Sequence, residues 1–176
     1  MWDCVDKFVI VEGTRTFRGT SKPLYFEANR HRYAWADEKI VHVVVDLPEH
    51  EPEYWGREAQ QRNGISQGVR DANPDDVVLI SDLDEFPRPE SIPHAIDMCT
   101  ALNQPVAMLM SKHIWKINNR MEWNMPGHTE HYPWWMLVLC KQRHLASEPA
   151  QSMRTRARFE MPHLSLIHIS EPTRLR

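Results

Sequence analysis

Asp82-Leu83-Asp84-Glu85 directly follows Val77-Val78-Leu79-Ile80-Ser81, a run apolar enough to read as a buried strand. In extended backbone, residues two apart point the same way, so Asp82 and Asp84 are expected to face one ligand while Leu83 packs behind. Two neighbouring carboxylates repel each other, and a divalent cation relieves the repulsion. Mg²⁺ or Mn²⁺ takes oxygen ligands from one or two carboxylates and completes its shell with phosphate oxygens. The pair therefore points to metal-assisted chemistry at a phosphate or diphosphate. An acidic turn after a strand can also be merely solvated. Placement favours the site reading: the motif ends a third strand, contains no basic residue, and is broken off by Phe86-Pro87-Arg88-Pro89.

Other residues could join such a site. Glu12 closes the first predicted strand, where its carboxylate could accept hydrogen bonds from ribose hydroxyls or a base N–H, or else face water. Arg62 lies seven residues after Trp55, on the helix side expected to face the sheet, where a guanidinium needs an anion. A diphosphate would serve, as would Asp82 or Asp84. Asn63 stands beside it. Arg57 and Glu58 read as a solvated face. His128-Thr129-Glu130-His131 lacks the helical spacing of a zinc motif and reads as a loop. Trp115, Trp123, Trp134 and Trp135 suit either sugar stacking or a core. Arg154, Arg156 and Arg158 suit a phosphate, an acidic acceptor or a solvated strand face.

The elements that would position these groups alternate. Val5 to Val11 is a β-branched strand ending at Glu12-Gly13. Ser21-Lys22-Pro23 opens a helix with Leu24, Ala28 and Trp35 at helical spacing, and Ile40 to Val45 is the next strand. A proline-punctuated loop leads to a helix from about Tyr54 to Val69, with Trp55, Ala59, Ile65 and Val69 on one side. Asn73-Pro74-Asp75-Asp76 then turns the chain into Val77 to Ser81. This order predicts an α/β domain with a mostly parallel sheet and ligands at the carboxyl ends of its strands. Ser91 to Leu102 reads as a helix and Val106 to Met110 as a strand, and from Lys112 onward the periodicity weakens.

A chain of 176 residues with 41% hydrophobic content can bury one core. A net charge of −3 gives no field strong enough to argue for nucleic acid or a membrane surface as partner, and none is expected. No segment has the roughly 18 consecutive apolar residues of a spanning helix. Cys4, Cys99 and Cys140 lack ligand spacing and read as buried free thiols, which favours a reducing, cytoplasmic setting. The stretch from Leu164 to Arg176 resembles the in-frame translation of a sequencing adapter, so the domain is expected to run over residues 1–163, with the donor half at about 5–110.

Four separated blocks carry a family resemblance: Val5 to Glu12, Lys22-Pro23-Leu24-Tyr25-Phe26, Gln61-Arg62-Asn63-Gly64-Ile65, and Asp75 through Pro87. In this order and spacing they resemble glycosyltransferase family 17, whose best-known member adds the bisecting GlcNAc of N-glycans. The resemblance implies a Rossmann-like nucleotide-sugar transferase fold of the A type, a UDP-GlcNAc donor, a glycan or other hydroxyl acceptor, and an inverting displacement. It also implies Mn²⁺ or Mg²⁺ at Asp82 and Asp84, with Glu12, Arg62, Asn63 and Asp82 on the donor. A luminal Golgi setting would follow for an anchored eukaryotic member. The family's acidic helical segment before the first strand and its later Trp- and His-rich stretch are not matched, which leaves the catalytic base unassigned. A phosphohydrolase of the haloacid dehalogenase type also opens its site with strand and Asp-x-Asp, but Phe86 stands where that family wants Thr or Val. A non-catalytic nucleotide-sugar-binding fragment is the other alternative.

Overall fold

The computed structural model describes residues 2–111, 133–157 and 160–165. The expectations for Trp115, Trp123, His128 to His131 and Arg158, for the side chain of Trp135, and for the tail beyond Ser165 lie outside the described residues.

The chain builds two sheets. Strands β1 (Phe8–Gly13) and β2 (Ile40–Val45) pair in parallel, from Phe8 opposite Ile40 to Gly13 opposite Val45. Their β-branched residues suit a pleated surface. The crossover holds helix α1 (Tyr25–Asn29) followed by 3-10 turns over Arg30–Lys39. Helices α2 (Gly56–Asn63) and α3 (Ile65–Gly68) lie against this sheet. The approach is close enough to require glycine: a Cβ on Gly64 would stand 2.6 Å from Val45 Cγ2 and 2.8 Å from Val11 Cγ1.

The second sheet has the order β3 (Val77–Ile80), β5 (Pro133–Lys141), β4 (Val106–Ser111), β6 (His163–Ser165). β5 runs antiparallel to both neighbours, and β6 runs parallel to β4. The core sits here, divided by the two-residue period of its central strands. Met108, Met110, Leu137 and Leu139 face α4 (Ile92–Leu102) through Ala95 and Cys99. Ala107, Val138 and Cys140 face α5 (Gln142–Ser147) and α6 (Ala150–Ala157) through Leu145, Ala150, Met153 and Ala157. Ile65 and Val69 also pack on this second cluster, so the α3 segment joins the two sheets.

The fold is mixed α/β, and four expectations change. The parallel sheet is limited to β1–β2, because β3 pairs with the later apolar run of β5 instead of adding to that sheet. The first helix is short, with Ala28 and Trp35 exposed, Trp35 at 70%. The second breaks at Gly64, and Trp55 stands 62% exposed with its ring edge-on to Tyr54, so it covers no sheet. Cys99 and Cys140 are buried free thiols as expected, whereas Cys4 is exposed.

Candidate functional site

β3 ends at Ile80, and the acidic motif that follows is a turn. The Glu85 N–H donates to the Asp82 carbonyl at 3.1 Å, and the Asp82 N–H donates to Glu85 Oε2 at 2.8 Å. The extended backbone that would align Asp82 with Asp84 therefore stops short of them. Leu83 is 96% exposed and packs behind nothing, and Asp84 is exposed with no hydrogen-bond or ion-pair partner among the described residues.

Asp82 is held from two sides. Arg62 Nη2 donates to its Oδ1 at 2.8 Å, and Arg154 Nη2 donates to its Oδ2 at 2.8 Å. Arg154 also forks onto Glu85, with Nη1 to Oε2 at 2.5 Å and Nη2 to Oε1 at 3.0 Å, and Trp134 Nε1 donates to Glu85 Oε1 at 2.5 Å. Arg62 further donates to Glu58 Oε1 at 2.8 Å and to the Gln151 side chain. The inner members are deeply placed: Arg154 is 1% exposed and Glu85 7%. Burial opposes ionisation of Glu85, but Arg154, Trp134 and the Asp82 N–H outweigh it and hold its carboxyl below the usual range. Burial likewise opposes the charge on Arg62, and its bonds to Asp82 and Glu58 outweigh that and raise its pKa.

Arg62 thus meets the expected anion, and that anion is Asp82. Asn63 is placed otherwise: its Oδ1 accepts the Gln151 N–H at 3.0 Å and fastens the first turn of α6 to α2. Glu12 does not face water. It is 8% exposed and accepts the Phe26 N–H at 3.1 Å, with His42 Nε2 at 3.2 Å and Lys22 Nζ at 3.6 Å. Burial works against its ionisation, but the Phe26 N–H and the charge of Lys22 prevail and lower its pKa. No hydrogen bond or ion pair joins Glu12 to the Asp82 cluster among the described residues. The two regions connect through α2, where Gln61 Nε2 donates to the Val11 carbonyl at 3.1 Å, one residue before Arg62. Beside Gln61, a cavity of about 300 Å³ is lined by Arg15, Thr16, Phe17 and Lys22.

Two basic residues expected on solvated faces are interior. Arg57 is 8% exposed and donates to the carbonyls of Pro48, Phe17 and Glu49, drawing two loops together. Arg154 lies on a helix and not on a strand face. Sequence reasoning missed it, and missed Glu85 as the group it clamps. The signal was present: Ala150, Met153, Arg154 and Ala157 share one helical face, and three of the four are apolar.

The cluster sets two guanidinium groups against the carboxylates of Glu58, Asp82 and Glu85, with Asp84 as a fourth acid beside them. That balance repels a bare diphosphate and attracts a cation. No group of three or more His, Cys, Asp or Glu stands ready for a metal among the described residues. This donor set fits a hard cation that takes one or two carboxylates and draws its remaining ligands from a bound phosphate.

A family model described as glycosyltransferase family 17 matches residues 1–127. The chain belongs to glycosyltransferase family 17. It is therefore a glycosyltransferase-family protein, with a sugar donor and an acceptor as its substrates, and the phosphohydrolase alternative falls away. No curated protein and no solved structure matches it. Glu12, Arg62, Asn63 and the Asp82–Glu85 turn lie inside the matched residues, and Arg154 lies beyond them. Among the described residues no helix is long and apolar enough to cross a membrane.

Proposed function

We propose that this family 17 chain transfers GlcNAc or a related sugar from a UDP-sugar to a hydroxyl of a glycan or other acceptor. The specificity would resemble that of a β-1,4-mannosyl-glycoprotein 4-β-N-acetylglucosaminyltransferase, on a Rossmann-like A-type framework and with a divalent metal. The observation that carries this reading is the acidic turn, in which Asp82 is fixed by Arg62 and Arg154 while Asp84 is left exposed and unpartnered among the described residues. Asp84 is the group available to Mn²⁺ or Mg²⁺, with Asp82 beside it and the donor's diphosphate completing the shell. When bound, the metal offsets the charge that develops on the UDP leaving group.

The chain's own residues supply the setting. Arg62 neutralises Asp82, lowering the repulsion that an incoming diphosphate meets. Asn63 and Gln151 fix the end of α2 that carries Arg62. The cavity at Arg15, Phe17, Lys22 and Gln61 offers cations and an aromatic face to the nucleoside side of a donor. In an inverting displacement the acceptor oxygen bonds to the anomeric carbon as the bond to the UDP oxygen breaks, and a base takes the acceptor proton.

Calorimetry of UDP binding with and without Mn²⁺, for the wild type and Asp84→Asn, tests the metal role. The wild type should bind at least about tenfold tighter with Mn²⁺, and Asp84→Asn should lose that gain. Equal affinity in all four cases would remove the metal from the reading. UDP release from UDP-GlcNAc with a panel of mannose-containing acceptors tests the donor and acceptor.

A further inference from the structure

We propose that Arg154 is a positioning residue for the cation-binding turn: by clamping Glu85 and Asp82 together it leaves Asp84 as the one carboxylate of the motif free to take a metal. The inference rests on the reading above, that Asp84 holds a cation with the donor diphosphate, and it adds a residue from beyond the family-matched region.

The geometry carries it. One guanidinium spans both ends of a four-residue turn, with Nη1 and Nη2 on the two oxygens of Glu85 and Nη2 also on Asp82 Oδ2, all within 3.0 Å. A bidentate fork fixes direction as well as distance. The turn is closed internally by the Asp82 N–H on Glu85, so holding Glu85 also holds the backbone at Asp82. Arg154 Nε is buried without a hydrogen-bond partner among the described residues. An orphaned donor is unfavourable, so the guanidinium is oriented by the two carboxylates and not by satisfying all its own N–H groups. With Asp82 held by Arg154 and Arg62, and Glu85 by Arg154 and the Trp134 indole, Asp84 is the carboxylate of the motif with no hydrogen-bond or ion-pair partner among the described residues.

A residue that only fills core space would tolerate Arg154→Met, which conserves length and apolar contact, at least as well as Arg154→Lys. A residue that orients charge requires the order Arg, Lys, Met. The test compares the wild type with Arg154→Lys, Arg154→Met, Glu85→Gln and Asp84→Asn by two readouts on the full chain. Mn²⁺ binding in the presence of UDP is followed by loss of the free-ion paramagnetic resonance signal. The indole N–H resonance of Trp134, assigned with Trp134→Phe, reports the Glu85 clamp without metal. Arg154→Lys and Glu85→Gln are expected to lower Mn²⁺ affinity about 10-fold or more and to move the Trp134 resonance, with Arg154→Met weaker still. Asp84→Asn should abolish Mn²⁺ binding and leave the Trp134 resonance in place. If Arg154→Met does not fold, Arg154→Lys and Glu85→Gln decide. Wild-type Mn²⁺ affinity in those two, alongside loss in Asp84→Asn, would overturn the role of Arg154 and leave the metal reading intact. A wild type that binds no Mn²⁺ with UDP would overturn the metal reading, and this inference with it.

Discussion

Glu85 shows how one side chain can matter in two ways. Its carboxyl lies below the ordinary value of 4.5 because Arg154, Trp134 and a backbone N–H outweigh the penalty of burial. A carboxylate whose pKa is depressed by folding contributes stability that is complete above the unfolded value and is lost as pH falls through the folded one. The urea midpoint should therefore hold from pH 7 to about pH 5 and fall below about pH 4.5, Glu12 adding to the same trend. Glu85→Gln should lower stability at pH 7 by roughly 3 kcal/mol, the low end for breaking a buried pair, since Asp82 still faces Arg154. Its decline between pH 5 and pH 3 should be shallower than the wild type's. A parallel pH profile would show that Glu85 carries none of the effect. At this scale Asp82 and Arg62 were legible in the sequence, because an aspartate after an apolar strand and an arginine on a sheet-facing helix both demand partners. Arg154 was not, since a run of alternating arginines looks solvated until the helix beneath it is recognised. Asn63 was legible as a residue of note but not as a tether to α6.

At the level of elements, several apolar runs were found in place: β2, β3, β4 and the helix α4 lie within a residue or two of their expected bounds. What periodicity could not supply was pairing. β3 is a four-residue run that could extend either sheet, and the choice falls to Leu137 to Cys140 of β5, whose side chains fill both layers of the core. The expected Tyr54–Val69 helix is split at Gly64, whose backbone stays right-handed helical and whose lack of a Cβ permits the close approach to β1 and β2. Gly64→Ala should force Val11 and Val45 apart and cost about 1–3 kcal/mol, as overpacking does. Because Arg62 sits two residues earlier, UDP affinity should fall as well. A variant with wild-type midpoint and wild-type UDP binding would show that the helix can ride up on the sheet without moving the site.

Across the whole molecule, burial sorts the three thiols. Cys140 is pushed up to about 12 by burial, with a further push from Cys99, and Cys99 is itself raised by burial, while Cys4 is exposed. A thiol reagent at pH 8 should modify Cys4 quickly and the other two only on unfolding. Prompt reaction of all three in the native protein would contradict the closed core around β4 and β5. The same long reach that buries those cysteines has a consequence for biosynthesis. The β1–β2 pair needs only the first 45 residues, yet Asp82 waits for a guanidinium 72 residues downstream. At about 5–20 residues per second, the acidic turn leaves the ribosome roughly 4–14 s before Arg154 does. For that interval the nascent chain carries Asp82, Asp84 and Glu85 without the clamp, so the amino-terminal sheet can form early while the site is assembled last.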